Sequence, residues 1–155
     1  MPNIVVIDAN VVISALLGSK AVLSLIPAST HSLYAPDKII EEVAKYEHVV
    51  CEKTESTKQK FEKDMNDVLE FVTLLPYADY AQWMPKAHAA IGWRHPPDVH
   101  YLACALTINA DFIWTNDKDF TSQKLVPVKT TKRVITRTKI LKYLNHLISS
   151  KMRER

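Results

Sequence analysis

Asp8, Asp98, Asp117 and Asp119, with one of the neighbouring pair Glu41 and Glu42, are the residues of this 155-residue chain whose type and placement could do chemistry. Asp8 follows directly on the run NIVVI, Asp98 follows a double proline, and Asp117 and Asp119 come just after DFIWT. Carboxylates gathered in one place cannot all stay ionised without a counter-charge. A hard divalent cation is the economical one, since Mg²⁺ takes carboxylate oxygens and keeps several of its waters. Each acid also has a duller reading: Asp98 as a helix N-cap, Asp117 and Asp119 as turn formers. Asp8 resists that treatment, because a carboxylate placed straight after a β-branched strand enters a largely buried position. Independent caps would have no need to sit at strand ends, so the acids together point to a metal site.

The elements that must position these acids alternate between strand and helix. The buried-strand run Asn3–Ile7 is followed by the helical stretch VVISALL with Gly18 as its end signal, and a second helix over Ala21–Ile26 closes before Pro27. A strand over Ser32–Ala35 leads to a helix with Pro36 in its first turn, running to about Tyr46. Residues 54–71 read as one charged helix in which Phe61, Met65, Val68 and Leu69 form a narrow apolar stripe. Val72–Leu75 is a strand, a helix covers about Tyr80–Ile91, and Arg94-His95-Pro96-Pro97 is an extended turn. Asp98 then opens DVHYLACALTI, apolar nearly all round and hence central. A strand over Asp111–Thr115, another near Leu125–Val128, and a last helix complete the chain. Thr136 reads as the N-cap of that helix, with Ile140, Leu141, Leu144, Leu147 and Ile148 on one face. The expectation is one α/β domain over residues 1–150, a mainly parallel sheet of about four or five strands with helices on both faces, and a frayed basic end at 151–155.

In open α/β sheets, ligands bind outside the carboxyl ends of the strands, which is where Asp8, Asp117 and Asp119 fall. Helical geometry separates the two glutamates. At about 100° per residue, Ile39, Ile40, Val43 and Tyr46 share one face; Glu41 points opposite it and Glu42 lies along its edge, so Glu42 is the one that can reach an internal site.

Composition narrows the classes. With 47% hydrophobic and 24% charged residues, the chain suits one compact domain that buries roughly 70% of its unfolded surface. Two cysteines, Cys51 and Cys104, are too few for a disulfide framework or a thiolate zinc site and fit a reducing, cytoplasmic setting. Two glycines leave no phosphate-cradling GxGxxG or GxxxxGK[ST] loop, and no apolar run approaches the roughly 20 residues of a membrane span. Met-Pro-Asn also lacks the basic region of a signal peptide. The net charge of +3 conceals an asymmetry: residues 1–123 carry 10 basic and 16 acidic residues, whereas 124–155 carry 10 basic residues and only Glu154.

IVVIDANVVISALL, IIEEV, PPDVHYLACAL and ADFIWTNDKDF, in that order, resemble the PIN-domain nucleases, above all the small prokaryotic members that serve as toxins of toxin–antitoxin pairs. The resemblance runs over essentially the whole chain. It implies a metal-dependent ribonuclease whose four acids are Asp8, Glu42, Asp98 and Asp117, with Asp119 as a further acid. Thr115 matches the family's hydroxyl residue and Asn10 its polar residue two places after the first aspartate. The implied cofactor is one or two Mg²⁺ or Mn²⁺ ions, which make a bound water a better nucleophile toward a phosphodiester. The implied partners are RNA, a cognate antitoxin and a second copy of the chain. Asn116 departs from the family, many of whose members have glycine there, and Trp93-Arg94-His95 before Asp98 follows no family pattern.

Other readings compete. Haloacid-dehalogenase and receiver folds also place an aspartate after strand one, but the former wants a second aspartate where Asn10 stands and the latter an acidic pair near the start. A housekeeping RNA-processing enzyme and a non-catalytic PIN-like binding module remain as alternatives. Lys129, Lys132, Arg133, Arg137 and Lys139 are candidate phosphate contacts, against the plainer reading of a solvated face. The charged 54–71 helix is a candidate partner contact, against packing on its own domain. His95 and His100 read as ordinary surface or core residues, and Tyr34, Trp83, Trp93 and Trp114 as core packing rather than base stacking.

Overall fold

The first strand, β1 (Ile4–Ile7), has Val5, Val6 and Ile7 completely buried. Successive strand residues point to opposite faces, so both faces of this strand are covered. The computed structural model describes residues 3–28, 31–92 and 95–153, without the side chains of 27–28 and 135–145. Four further strands, β2 (Ser32–Pro36), β3 (Val72–Leu75), β4 (Phe112–Trp114) and β5 (Val128–Lys129), join β1 in the order β3-β2-β1-β4-β5. Every pairing is parallel, with Val6 opposite Tyr34 on one side and Ile113 on the other. The chain builds outward from β1 through β2 to β3, then returns to lay β4 on the opposite side of β1. The β1–β4 boundary is therefore the reversal point at which such sheets leave a crevice beyond their carboxyl ends.

The described helices are α1 (Ala9–Leu16), α2 (Lys20–Ala28), α3 (Ile39–Ala44), α4 (Glu47–Thr54), α5 (Lys58–Leu69), α6 (Tyr77–Tyr80), α7 (Met84–Ala87), α8 (Asp98–Thr107) and α9 (Thr131–Arg153), and of these α1, α3 and α8 supply residues to the crevice. As expected from its composition, α8 is central: it packs on β1, β2 and β4, with Tyr101, Leu102, Ala103, Cys104 and Ala105 fully buried. Gly18 takes φ +95 at the end of α1, a conformation that side chains other than glycine's resist.

Several boundaries differ from the sequence expectation. Pro36 is the last residue of β2, not part of the next helix; pairing with β1 ends at Tyr34, so no ladder bond is asked of its missing N–H. Helix α2 continues past Ile26 through Pro27 to Ala28. Residues 54–71 are not one helix: α4 ends at Thr54, Glu55 takes φ 51, and Thr57 caps α5 by accepting the Lys60 N–H. Its stripe faces inward, Phe61, Met65 and Val68 being buried in the core, so the helix packs on its own domain. The single helix expected over Tyr80–Ile91 is a broken series of α6, the 3-10 turn Ala81–Trp83, α7 and the π turn His88–Gly92. The last helix starts at Thr131 rather than after Thr136 and is helical to Arg153; residues 154 and 155 of the end expected to fray lie outside the described residues. Leu147 and Ile148 of its expected apolar face are exposed, while the side chains of Ile140, Leu141 and Leu144 lie outside the described residues. Arg94 of the expected extended turn, and Trp93 before it, also lie outside them, and Pro97 takes αR rather than extended φ and ψ as the N-cap of α8.

Candidate functional site

The site begins where β1 and β4 end. Asp8 continues their ladder by one step, its N–H donating to the Trp114 carbonyl at 3.0 Å. Its carboxylate, 5% exposed, is held on both oxygens: Oδ1 accepts the Ala9 N–H at 2.7 Å, capping α1, and Oδ2 accepts the Thr115 hydroxyl at 2.7 Å. The Thr115 oxygen in turn accepts Asn10 Nδ2 at 3.1 Å and the Asp117 N–H at 3.0 Å. Thr115, itself fully buried, thus joins the end of β1, the start of α1 and the turn carrying Asp117. Asp117 Oδ1 accepts the Asp119 N–H at 2.9 Å, so this aspartate does cap a turn, the 3-10 segment Lys118–Ser122. Asp98 is not a cap: it is the first residue of α8, and the cap position is Pro97.

Glu42, half-buried on α3, accepts the Tyr101 hydroxyl on Oε2 at 3.0 Å. Its other oxygen, Oε1, is buried without a hydrogen-bond partner. Glu41 is exposed, as the helical geometry required, although Ile40 and Tyr46 of the face used to separate the two glutamates are exposed as well. Asp8, Glu42, Asp98 and Asp117, drawn from four separate stretches of chain, line one pocket of about 290 Å³ together with Asn10, Lys38, Lys45 and Tyr46.

Crowding and burial show in the acidities. Burial, with Glu42 and Asp117 adding to it, pushes the Asp8 carboxyl up to about 6, against the pull of the Thr115 and Ala9 hydrogen bonds. Burial and then the charges of Asp8, Asp117 and Glu42 push Asp98 up to about 7. Glu42 is raised by burial too, with the Tyr101 hydrogen bond, Lys38 and Lys45 opposing. Such a site is short of positive charge.

A hard divalent cation fits that shortage. The donors are carboxylate oxygens, and one of them, Glu42 Oε1, is buried and unsatisfied. Among the described residues no three Asp, Glu, His or Cys side chains converge tightly enough to chelate an ion unaided. An ion such as Mg²⁺, which takes one or two carboxylates and keeps several waters, does not require such a cage.

Other expected residues lie elsewhere. Asp119 does not line the pocket; its carboxylate meets His95 Nε2 at 2.7 Å, a partner for which the sequence offered no spacing signal. His100 bonds the Tyr80 hydroxyl through Nδ1 at 2.9 Å, and burial lowers its pKa. Lys129, Lys132 and Arg133 do not line the pocket either, and the side chains of Arg137 and Lys139 lie outside the described residues. Trp114 is fully buried and donates Nε1–H to Thr131 Oγ1 at 3.0 Å, while Tyr34 and Trp83 pack on the core. Tyr101, Lys38, Lys45 and Tyr46 were missed. Tyr101 stands three residues after Asp98 and the two lysines four before and three after Glu42, spacings that share a helix face.

The solved structure of VapBC2 from Rickettsia felis, bound to a DNA fragment from its promoter, has a similar fold, with a TM-score of 0.61 at 12% identity over 82% of this chain and 98% of that one. No curated protein matches the chain in sequence. A protein-family model for the PIN domain matches residues 6–139, and on that match the chain belongs to the PIN-domain family.

Proposed function

We propose that the chain is a metal-dependent endoribonuclease, hydrolysing RNA phosphodiester bonds at the pocket of Asp8, Glu42, Asp98 and Asp117. The observation that carries this reading is the convergence of these acids, from four separate segments, on one crevice beyond β1 and β4. They would hold one or two Mg²⁺ or Mn²⁺ ions, with Asp119 outside the set. Bound there, the metal would supply the Lewis acidity that makes water nucleophilic near neutral pH and stabilises charge on the departing oxygen.

The chain's own part is positioning. Thr115 and Ala9 fix both oxygens of Asp8, and Asn10 braces Thr115. Tyr101 holds one oxygen of Glu42 and leaves the other free. Burial and the neighbouring carboxylates push the Asp98 carboxyl up to about 7, and a cation held there would draw it back down. A role as the toxin of a toxin–antitoxin pair, silenced by a cognate antitoxin, is supported by the sequence resemblance and by the fold shared with VapBC2, while a cytoplasmic setting rests on the cysteine usage and a dimeric state on the resemblance alone.

The test is incubation with mixed RNAs in Mn²⁺ or in chelator. Cleavage in Mn²⁺ alone, abolished by Asp8→Asn, is the expected result. Absence of metal-dependent cleavage, or the same cleavage in Asp8→Asn, overturns the proposal.

A further inference from the structure

A pocket walled by carboxylates repels a polyanion, so an RNA strand needs cations and apolar contact close by. The basic C-terminal segment, the expected source, supplies none of the described lining residues. Helix α3 does. Lys38 and Lys45 occupy its two cap positions, both with helical φ and ψ, and stand four residues before and three after Glu42. Side chains at such spacings share one helix face, so lysine, glutamate and lysine form a row along the pocket wall. Tyr46 adds a ring at the same rim, lining the pocket and 47% exposed. An ammonium pair beside an accessible aromatic face is the combination that grips single strands: the cations follow phosphates and the ring stacks on an unpaired base.

We infer that Lys38, Lys45 and Tyr46 form the substrate-binding wall of this site, the lysines contacting phosphates on either side of the scissile one and Tyr46 stacking on an unpaired base of a single RNA strand. This rests on the nuclease reading and deepens it. It also separates two duties the lysines could have. As mere counter-charges to Glu42 they would tune metal affinity, whereas as a binding wall they set RNA affinity without metal.

Binding is therefore measured in chelator, by fluorescence anisotropy of a labelled, unstructured 12-nucleotide RNA against the full-length protein at several salt concentrations. Lys38→Ala and Lys45→Ala should each lower the salt slope by about one. Tyr46→Ala should weaken binding about tenfold, Tyr46→Phe should restore it, and Lys58→Ala, at an exposed lysine outside the pocket lining, should leave it unchanged. Duplex RNA and single-stranded DNA of the same sequence should bind more weakly. The wall is overturned if the lysine variants keep the wild-type slope, if Tyr46→Phe is as weak as Tyr46→Ala, or if the duplex binds best. Stronger binding of the DNA strand overturns the assignment to RNA. Cleavage of the same RNA by the wild type in Mn²⁺ is scored separately: its absence sinks the nuclease reading, while the anisotropy decides the wall.

Discussion

Thr115 donates its hydroxyl to Oδ2 of Asp8 at 2.7 Å, closing the carboxyl ends of β1 and β4 on each other across 107 residues of sequence. The same oxygen accepts from Asn10 and from the Asp117 backbone, so one buried hydroxyl sets the positions of three site residues. Thr115→Val keeps the shape and removes the hydroxyl. A buried carboxylate oxygen and two donors then lose their partner, which should cost about 2–3 kcal/mol in urea unfolding, while Thr115→Ser stays near wild type. Because this hydrogen bond lowers the Asp8 pKa, its loss should also move the acid limb of Mn²⁺ binding to higher pH.

The two raised aspartates make a second prediction with a definite sign. Asp8 at about 6 and Asp98 at about 7 both lie above the ordinary value of 3.8, so the folded state binds the protons more tightly. Their contribution to stability is fully present below that ordinary value and is lost as pH rises through the folded ones. In chelator, the melting temperature should fall between pH 4 and pH 7.5. Asp8→Asn should flatten part of that fall, and Mn²⁺ should recover most of the loss at pH 7.5. A melting temperature that instead rises steadily over this range in chelator would contradict the assignment.

Much of this was legible in the chain because its signals are local. A β-branched run ending in aspartate marks β1 and its carboxyl end, and an almost wholly apolar helix marks α8 as central. The choice of Glu42 over Glu41 followed from a hundred degrees of helical rotation. What escaped was set by tertiary pairing. Nothing in NDKDF says that Asp119 will meet a histidine 24 residues earlier instead of facing the pocket. The break at Glu55 needed a left-handed residue that is not glycine, which the charge pattern of 54–71 conceals. Lysines around Glu42 look like ordinary solvated charge until the pocket is seen to lie between them.

Tyr101 should act on the metal through Glu42. Its hydroxyl, whose pKa burial drives far upward, remains a donor at all working pH values and occupies Oε2, leaving Oε1 as the free ligand. In Tyr101→Phe the ring still fills its buried place, but Glu42 is no longer aimed. Mn²⁺ affinity measured by isothermal titration should fall about tenfold, in the range found when a partner that orients a metal ligand is removed. An unchanged affinity would mean that packing alone sets the glutamate.

Asn116, standing where many PIN proteins carry glycine, has its own task here. Its N–H donates to Asn10 Oδ1 at 3.3 Å and its Oδ1 accepts the Thr131 N–H at 2.9 Å. The second bond satisfies one of the amides that the first turn of α9 leaves without a helical acceptor, so the residue caps a helix to which it does not belong. Asn116→Gly keeps the first bond and loses the second. The expected outcome is a cost of about 1 kcal/mol and faster hydrogen exchange at the Thr131 amide, with Asn116→Asp restoring both, since it retains the accepting oxygen. The turn that carries Asp117 starts at this residue, so the glycine variant should also loosen the carboxylate nearest to it and weaken Mn²⁺ binding. Unaltered exchange at Thr131 would show that α9 is anchored by other contacts, leaving the Trp114 bond to Thr131 Oγ1 as its link to the site.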